Sequence, residues 1–258
     1  MVWVFGALVF AFGLVIGSFM TVVAARVPAG ESIVRPRSRC PSCSAEIRNR
    51  DNIPVLGWAL LGGRCRDCGA KIPIRYPLLE LTTAVVILGA FLVYDDVWVA
   101  IAVAGLLALM PVVSVIDVEH RIIPNKIVYP ALIVFPLFLV IARLSSAPVD
   151  LARMGIGFLA YGGALFVVAF ISRGMGMGDV KLAALIGIVL GAISLGHVAV
   201  AAGAAIVLGG LGAILALLGG AGRRGAIPFG PFLAAGAIVA AFWGAQIADW
   251  YSRTMLHL

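Results

Sequence analysis

The stretch GMGMGDVKLAA, residues 174–184, places a carboxylate, Asp179, behind a glycine-rich turn between two long apolar segments. An ionisable side chain at the edge of a membrane segment is costly unless it is paired, solvated or protonated, and is read by default as functional. Lys181 is the one charge close to it in sequence. The rest of the chain has to supply the partner of Asp179.

Outside this stretch the chain is strongly apolar. Of 258 residues, 62% are hydrophobic and 12% charged, with a mean hydropathy of +1.11; a soluble domain carries about 25% charged residues. Apolar runs near the length of a membrane-crossing helix recur throughout. They predict an all-α polytopic membrane protein with about eight transmembrane helices, at 3–25, 77–94, 97–116, 127–142, 154–172, 180–195, 198–218 and 229–249. The first run lacks a basic flank and is expected to be a retained helix rather than a cleaved signal peptide.

The net charge of +7 reflects orientation rather than nucleic-acid binding, for which no motif is present. Ten of the 19 Lys and Arg lie between Arg26 and Arg75, in the one long polar segment, which the positive-inside rule puts in the cytoplasm. With eight spans, Arg121, Lys126, Arg173, Lys181, Arg223 and Arg224 share that side, leaving Arg143, Arg153 and Arg253 opposite.

All four cysteines fall in that polar segment, as Cys40-x-x-Cys43 and Cys65-x-x-Cys68. Two such knuckles can present four thiolates tetrahedrally to one Zn²⁺. Two disulfides are the competing reading, but they need an oxidising compartment. A metal would also stabilise a loop too small to fold on its own core, and four protein ligands leave no open position, so its role would be structural. The expected organisation is a first transmembrane helix at 1–25, a zinc-ribbon-like loop domain at 26–76, and a bundle at 77–258.

The search for a partner to Asp179 narrows by topology. Of the 12 acidic residues, four belong to the cysteine loop and Asp95, Asp96, Asp150 and Asp249 to the opposite side, leaving Glu80, Asp117 and Glu119. Asp117 ends the third span as Asp179 begins the sixth, so both sit at one membrane depth; Glu119, about 200° further round a helix, faces elsewhere. Two carboxyls at one site hold a proton between them, so that one activates water while the other polarises a carbonyl. Gly174, Gly176 and Gly178 would let an extended peptide approach the site, with Lys181 as a headgroup anchor or a charge that tunes Asp179. Spacing alone leaves open a transporter with paired protonatable carboxylates, and a helix-capping role for Asp179.

Taken together, GSFMTVVAARVP, RCPSC, DNIP, GGRCRDCGAKIPIRYPLLEL, IDVEHRIIPN, GMGMGDVKL and IPFGPFLA, in this order over roughly 17–235, resemble the type IV prepilin peptidases, membrane-embedded GxGD aspartic proteases. The resemblance implies that Asp117 and Asp179 are the catalytic pair, and that Gly176, Gly178 and Lys181 support substrate or loop. It also implies removal of a leader after a glycine from prepilin or pseudopilin-like substrates at the cytoplasmic face of the bacterial inner membrane. Many members with four cysteines also N-methylate the new terminus with S-adenosylmethionine. Thr21, Ala24, Ala25 and Gly57 depart from the usual pattern, all in the N-terminal region that accompanies methyl transfer. Glu80 could cap the second span or contact the cysteine loop, and it belongs to the resemblance without an implied role. Pro228 to Pro231 read as a span boundary near the cleft, and His120 as a solvated interfacial residue. The remaining alternative is a docking module in which the cysteine loop serves a secretion assembly and the bundle only anchors it.

Overall fold

The structure is a computed structural model and describes residues 2–172, 175–219 and 228–255. Arg173, Gly174, Arg223 and Arg224, used in the reading above, lie outside the described residues. The chain divides into two compact units, Met1–Leu88 and Gly89–Leu258.

The first unit holds α1 (Val2–Arg26), the cysteine loop with the short α2 (Leu56–Leu60), and the beginning of α3 (Arg75–Val93). Glycines set how closely the two long helices approach. At Gly17, a Cβ would lie 2.6 Å from the Cα of Glu80, so α1 rests directly on the backbone of α3. In the loop, each Cys-x-x-Cys closes into the same turn. Cys40 N–H donates to Ala45 O and Ser44 N–H to Cys40 O, and Cys65 and Gly69 repeat this with Ala70 and Cys65. The residue after each second cysteine, Ser44 or Gly69, turns the chain back at positive φ. Bidentate hydrogen bonds from Arg66 to Asp51 (2.8 and 2.6 Å) and an indole bond from Trp58 to Ile72 O (3.0 Å) fix the knuckles to the intervening segment. The guanidinium of Arg66 holds the Asp51 carboxyl below the usual carboxylate range.

The second unit contains α4 (Val97–His120), α5 (Asn125–Leu144), α6 (Leu151–Gly157) continuing through a π-helical turn at Phe158–Gly163 into α7 (Ala164–Ser172), α8 (Met177–Gly191), α9 (Leu195–Leu218) and α10 (Gly230–Met255). Among the described residues there is no strand, only isolated bridges at Arg39–Glu46 and Arg64–Lys71. Among the described residues, seven helical segments are long and apolar enough to cross a membrane. The eighth expected span is α8, whose 15 residues extend about 22 Å, short of a hydrocarbon core of about 30 Å. It is the central element of this unit, with Val180 and every residue from Leu182 to Gly191 buried. Its approach to α6 is backbone on backbone, because a Cβ on Gly187 would collide with Gly157 O. Small residues at such crossings are how helices associate in lipid, where no hydrophobic force separates them from the solvent.

Outward faces carry the signature of a lipid solvent. Trp3, Leu92, Leu144, Phe170 and Leu218 are all at least two-thirds exposed. In water such a surface would aggregate; on helices of this length and hydropathy it suits a lipid surround. The all-helical, multi-pass character read from composition is what the structure has.

Candidate active site

Asp117 lies in the last turn of α4 and is only 5% exposed. The helix runs one turn past the expected end of the span. It stops where Arg121 adopts a left-handed conformation (φ 56°, ψ 38°) and returns its N–H to Asp117 O at 2.9 Å. Glu119 and His120, on this added turn, face outward and are exposed.

Asp179 is the third residue of α8, whose N-cap is Gly176 with extended backbone. It therefore does not cap the helix, which corrects one reading of the sequence. A carboxylate in the first turn is favoured by the free backbone N–H groups and the helix dipole. Asp117 ends α4 and Asp179 begins α8, two helices that pack against each other. The glycines before Asp179 explain how. A Cβ on Gly178 would stand 2.8 Å from Cβ of Ile123, so only glycine lets the IIPN loop after α4 lie against the start of α8. Gly176 borders the carboxyl itself, its Cβ position 3.5 Å from Asp179 Oδ2.

Lys181 has its hydrogen bond to the start of α5 and not to Asp179. Its Nζ donates to Asn125 Oδ1 at 2.8 Å and sits 4.7 Å above the Tyr129 ring, tying α8 to the first turns of α5. Together, Gly178 and Lys181 hold both sides of the loop that follows Asp117.

One residue of this site, in the cluster read as a span boundary near the cleft, had no role assigned from the sequence. Gly230 opens α10, and its N–H donates a buried 2.8 Å hydrogen bond to Asp117 Oδ2. Its Cβ position lies only 2.7 Å from the same oxygen. The PFGP cluster, taken for a span boundary, therefore delivers a helix N-terminus to a buried carboxylate. The signal was present as glycine between prolines, but nothing in sequence connects residues 117 and 230.

In the first unit the four cysteine sulfurs lie within 4.8 Å of one another, with Cys40 Sγ and Cys68 Sγ 3.8 Å apart. A tetrahedral Zn²⁺ with Zn–S of about 2.3 Å places its sulfurs about 3.8 Å apart, whereas a disulfide needs about 2.05 Å. The cluster could thus hold a metal ion. Backbone hydrogen bonds from Cys43 and then Ser42 bring the Cys40 thiol down to about 6, supplying thiolate character at neutral pH.

The same unit encloses a cavity of about 620 Å³ between the end of α1, the cysteine loop and the start of α3. That volume is in the range of small-molecule sites, about 300–1,000 Å³. Trp58 and Tyr76 offer aromatic faces to it, and Glu80 lines it.

A multi-pass helical membrane protein, with two carboxylates at the ends of packed helices and a four-cysteine loop, is the class these observations define. The family model described as "Type IV leader peptidase family" matches residues 104–244, and "Bacterial Peptidase A24 N-terminal domain" matches residues 11–94. The chain belongs to the type IV leader peptidase family. It is 37% identical to the prepilin leader peptidase/N-methyltransferase of Bacillus subtilis, over 97% of this chain and 99% of that one. It is 39% identical to the type 4 prepilin-like proteins leader peptide-processing enzyme of Escherichia coli, over 88% and 89%. For the prepilin leader peptidase/N-methyltransferase of Aeromonas salmonicida the figures are 32%, over 98% and 96%. No solved structure matches the chain significantly.

Proposed function

We propose that this chain is a membrane-embedded aspartic endopeptidase that removes the leader from prepilin or pseudopilin-like substrates and then N-methylates the new amino terminus. The peptidase reading is carried by one observation, the buried carboxylate of Asp117 held by Gly230 N–H while the loop that follows it lies against the first turn of α8, which carries Asp179. Carboxylates so placed share a proton. One takes a proton from water as the water attacks the scissile carbonyl, and the other gives its proton to the departing amine. Gly176 keeps the approach to Asp179 free of side chains, and Gly178 and Lys181 hold the loop beside Asp117. The basic cysteine segment orients the site toward the cytoplasm at the bacterial inner membrane, where a substrate's apolar helix would lie among lipids beside the bundle.

Zn²⁺ is the metal that four thiolates at these separations suit, as a structural ion. Methyl transfer fits the first unit, where Trp58 and Tyr76 would hold the adenine of S-adenosylmethionine by stacking. The donor supplies an electrophilic methyl group on a sulfonium. Incubation of the full chain in lipid with a prepilin-like peptide, followed by mass spectrometry, tests the reading. Cutting after the leader glycine, with a one-methyl mass gain when S-adenosylmethionine is added, is expected. An intact peptide would overturn the peptidase, leaving a transporter or docking module; cutting without the mass gain would overturn the transferase.

A further inference from the structure

Four carboxylates line the cavity of the first unit: Glu46, Asp51, Asp67 and Glu80. Three are committed to arginines. Glu46 meets Arg37 at 2.8 Å, Asp51 meets Arg66 at 2.6 Å and Asp67 meets Arg48 at 3.6 Å. Glu80 differs. Among the described residues it is the one charged residue of this unit that is buried as a whole, 8% exposed, and its Oε2 accepts from the backbone N–H of Val55 at 2.7 Å instead of from an arginine.

That contact is itself unusual. Val55 has φ 61° and ψ −51°, the centre of a tight γ-turn closed by Leu56 N–H to Pro54 O, which a β-branched residue adopts only under constraint. The chain passes so close below it that a Cβ on Gly57 would run into Asp51 O. The DNIPVLG segment is thus folded so that a backbone N–H reaches one oxygen of Glu80 while the carboxylate borders the cavity. Among the described residues no basic side chain meets this buried carboxyl, and a cationic ligand would give it one.

We propose that Glu80 receives the amino terminus of the cleaved peptide and takes its proton during methyl transfer. This rests on the methyl-transfer reading above. Of the two cations that reaction brings together, the sulfonium has no hydrogen to donate, whereas the amine has both N–H donors and a proton to shed. Glu80 binds the ammonium form and removes one proton, freeing the nitrogen lone pair. The nitrogen attacks the methyl carbon, the carbon–sulfur bond breaks with its electron pair staying on sulfur, and the product is a methylated ammonium and a neutral thioether.

Glutamine is the informative replacement. Glu80→Gln keeps an oxygen that can accept from Val55 N–H, so a purely structural role survives, while the charge and the proton acceptor are lost. The substrate is a peptide already carrying the free amino terminus, so that proteolysis does not enter. Binding is measured by calorimetry without S-adenosylmethionine, against the same peptide N-acetylated; transfer is measured with it. Wild type should bind the free-amino peptide about tenfold tighter than the acetylated one, as a charge-assisted contact implies. Glu80→Gln should abolish that preference and slow transfer about 100-fold or more, with metal content and thermal midpoint unchanged. If Glu80→Gln keeps both the preference and the rate, the assignment fails while methyl transfer stands. If it loses metal and unfolds as Glu80→Ala does, Glu80 is only a structural acceptor and the assignment also fails. If the wild type transfers no methyl to this peptide, the methyl-transfer reading falls and takes the assignment with it.

Discussion

Replacing Gly230 with alanine should damage catalysis without disturbing the bundle. The added Cβ would stand 2.7 Å from Asp117 Oδ2, whereas ordinary contact begins at 3.4 Å. The carboxyl must therefore retreat by about 0.7 Å, which stretches the 2.8 Å bond from Gly230 N–H beyond hydrogen-bond length. A hydrogen bond to a charged group is worth about 1.5–3 kcal/mol, or roughly 10- to 150-fold in rate. Because the bond orients a reacting group, the loss should fall on kcat, with KM little changed. The assay is peptide cleavage in lipid, with the thermal midpoint of each protein measured alongside. A Gly230→Ala enzyme of normal fold and wild-type kcat would refute the claim that α10 positions Asp117.

Three further outcomes follow from the same geometry. Chelation, or substitution of Cys40 or Cys68, should release one metal ion per chain and unfold the cysteine loop, seen as lost protection of residues 40–71 in hydrogen exchange. Gly187→Val should lower the thermal midpoint, since even a Cβ there meets Gly157 O; a midpoint equal to wild type would show that α6 and α8 are not in backbone contact. Asp51→Asn removes a carboxyl that Arg66 holds below its ordinary range. The stabilisation from that pair is full above the unfolded-state value of about 3.9 and is lost as pH falls through the lower folded-state value. The gap in thermal midpoint between wild type and variant should hold from neutral pH to about pH 4 and close below it.

Much of the fold was legible because lipid imposes a simple code. Length and hydropathy located all eight helical segments, and elimination among 12 acidic residues left Asp117 and few others beside Asp179. The limits were equally physical. The short, buried α8 reads in sequence like a full span, because apolar residues facing protein and apolar residues facing lipid look alike. The bond from Gly230 to Asp117 joins positions 113 apart through a backbone N–H, which any residue but proline possesses. Glu80 was expected either to cap its helix or to contact the cysteine loop, and its bond to the backbone of Val55 is a contact to that loop. Lys181 was expected near lipid or Asp179, and its partner Asn125 became visible only when α5 and α8 were side by side. Cysteine spacing, by contrast, carries its geometry in the sequence, and the sulfurs lie where that spacing suggested.

The central claim is that Asp117 and Asp179 act as one catalytic unit. Cleavage of a prepilin-like peptide should be measured for the wild type, Asp117→Asn, Asp179→Asn and the double variant under single-turnover conditions. Residues that work as a unit are strongly non-additive, so each single substitution should cost about 10³-fold or more and the double should cost no more than either. Losses that multiply in the double variant, or a single variant that cleaves as the wild type does, would contradict the account.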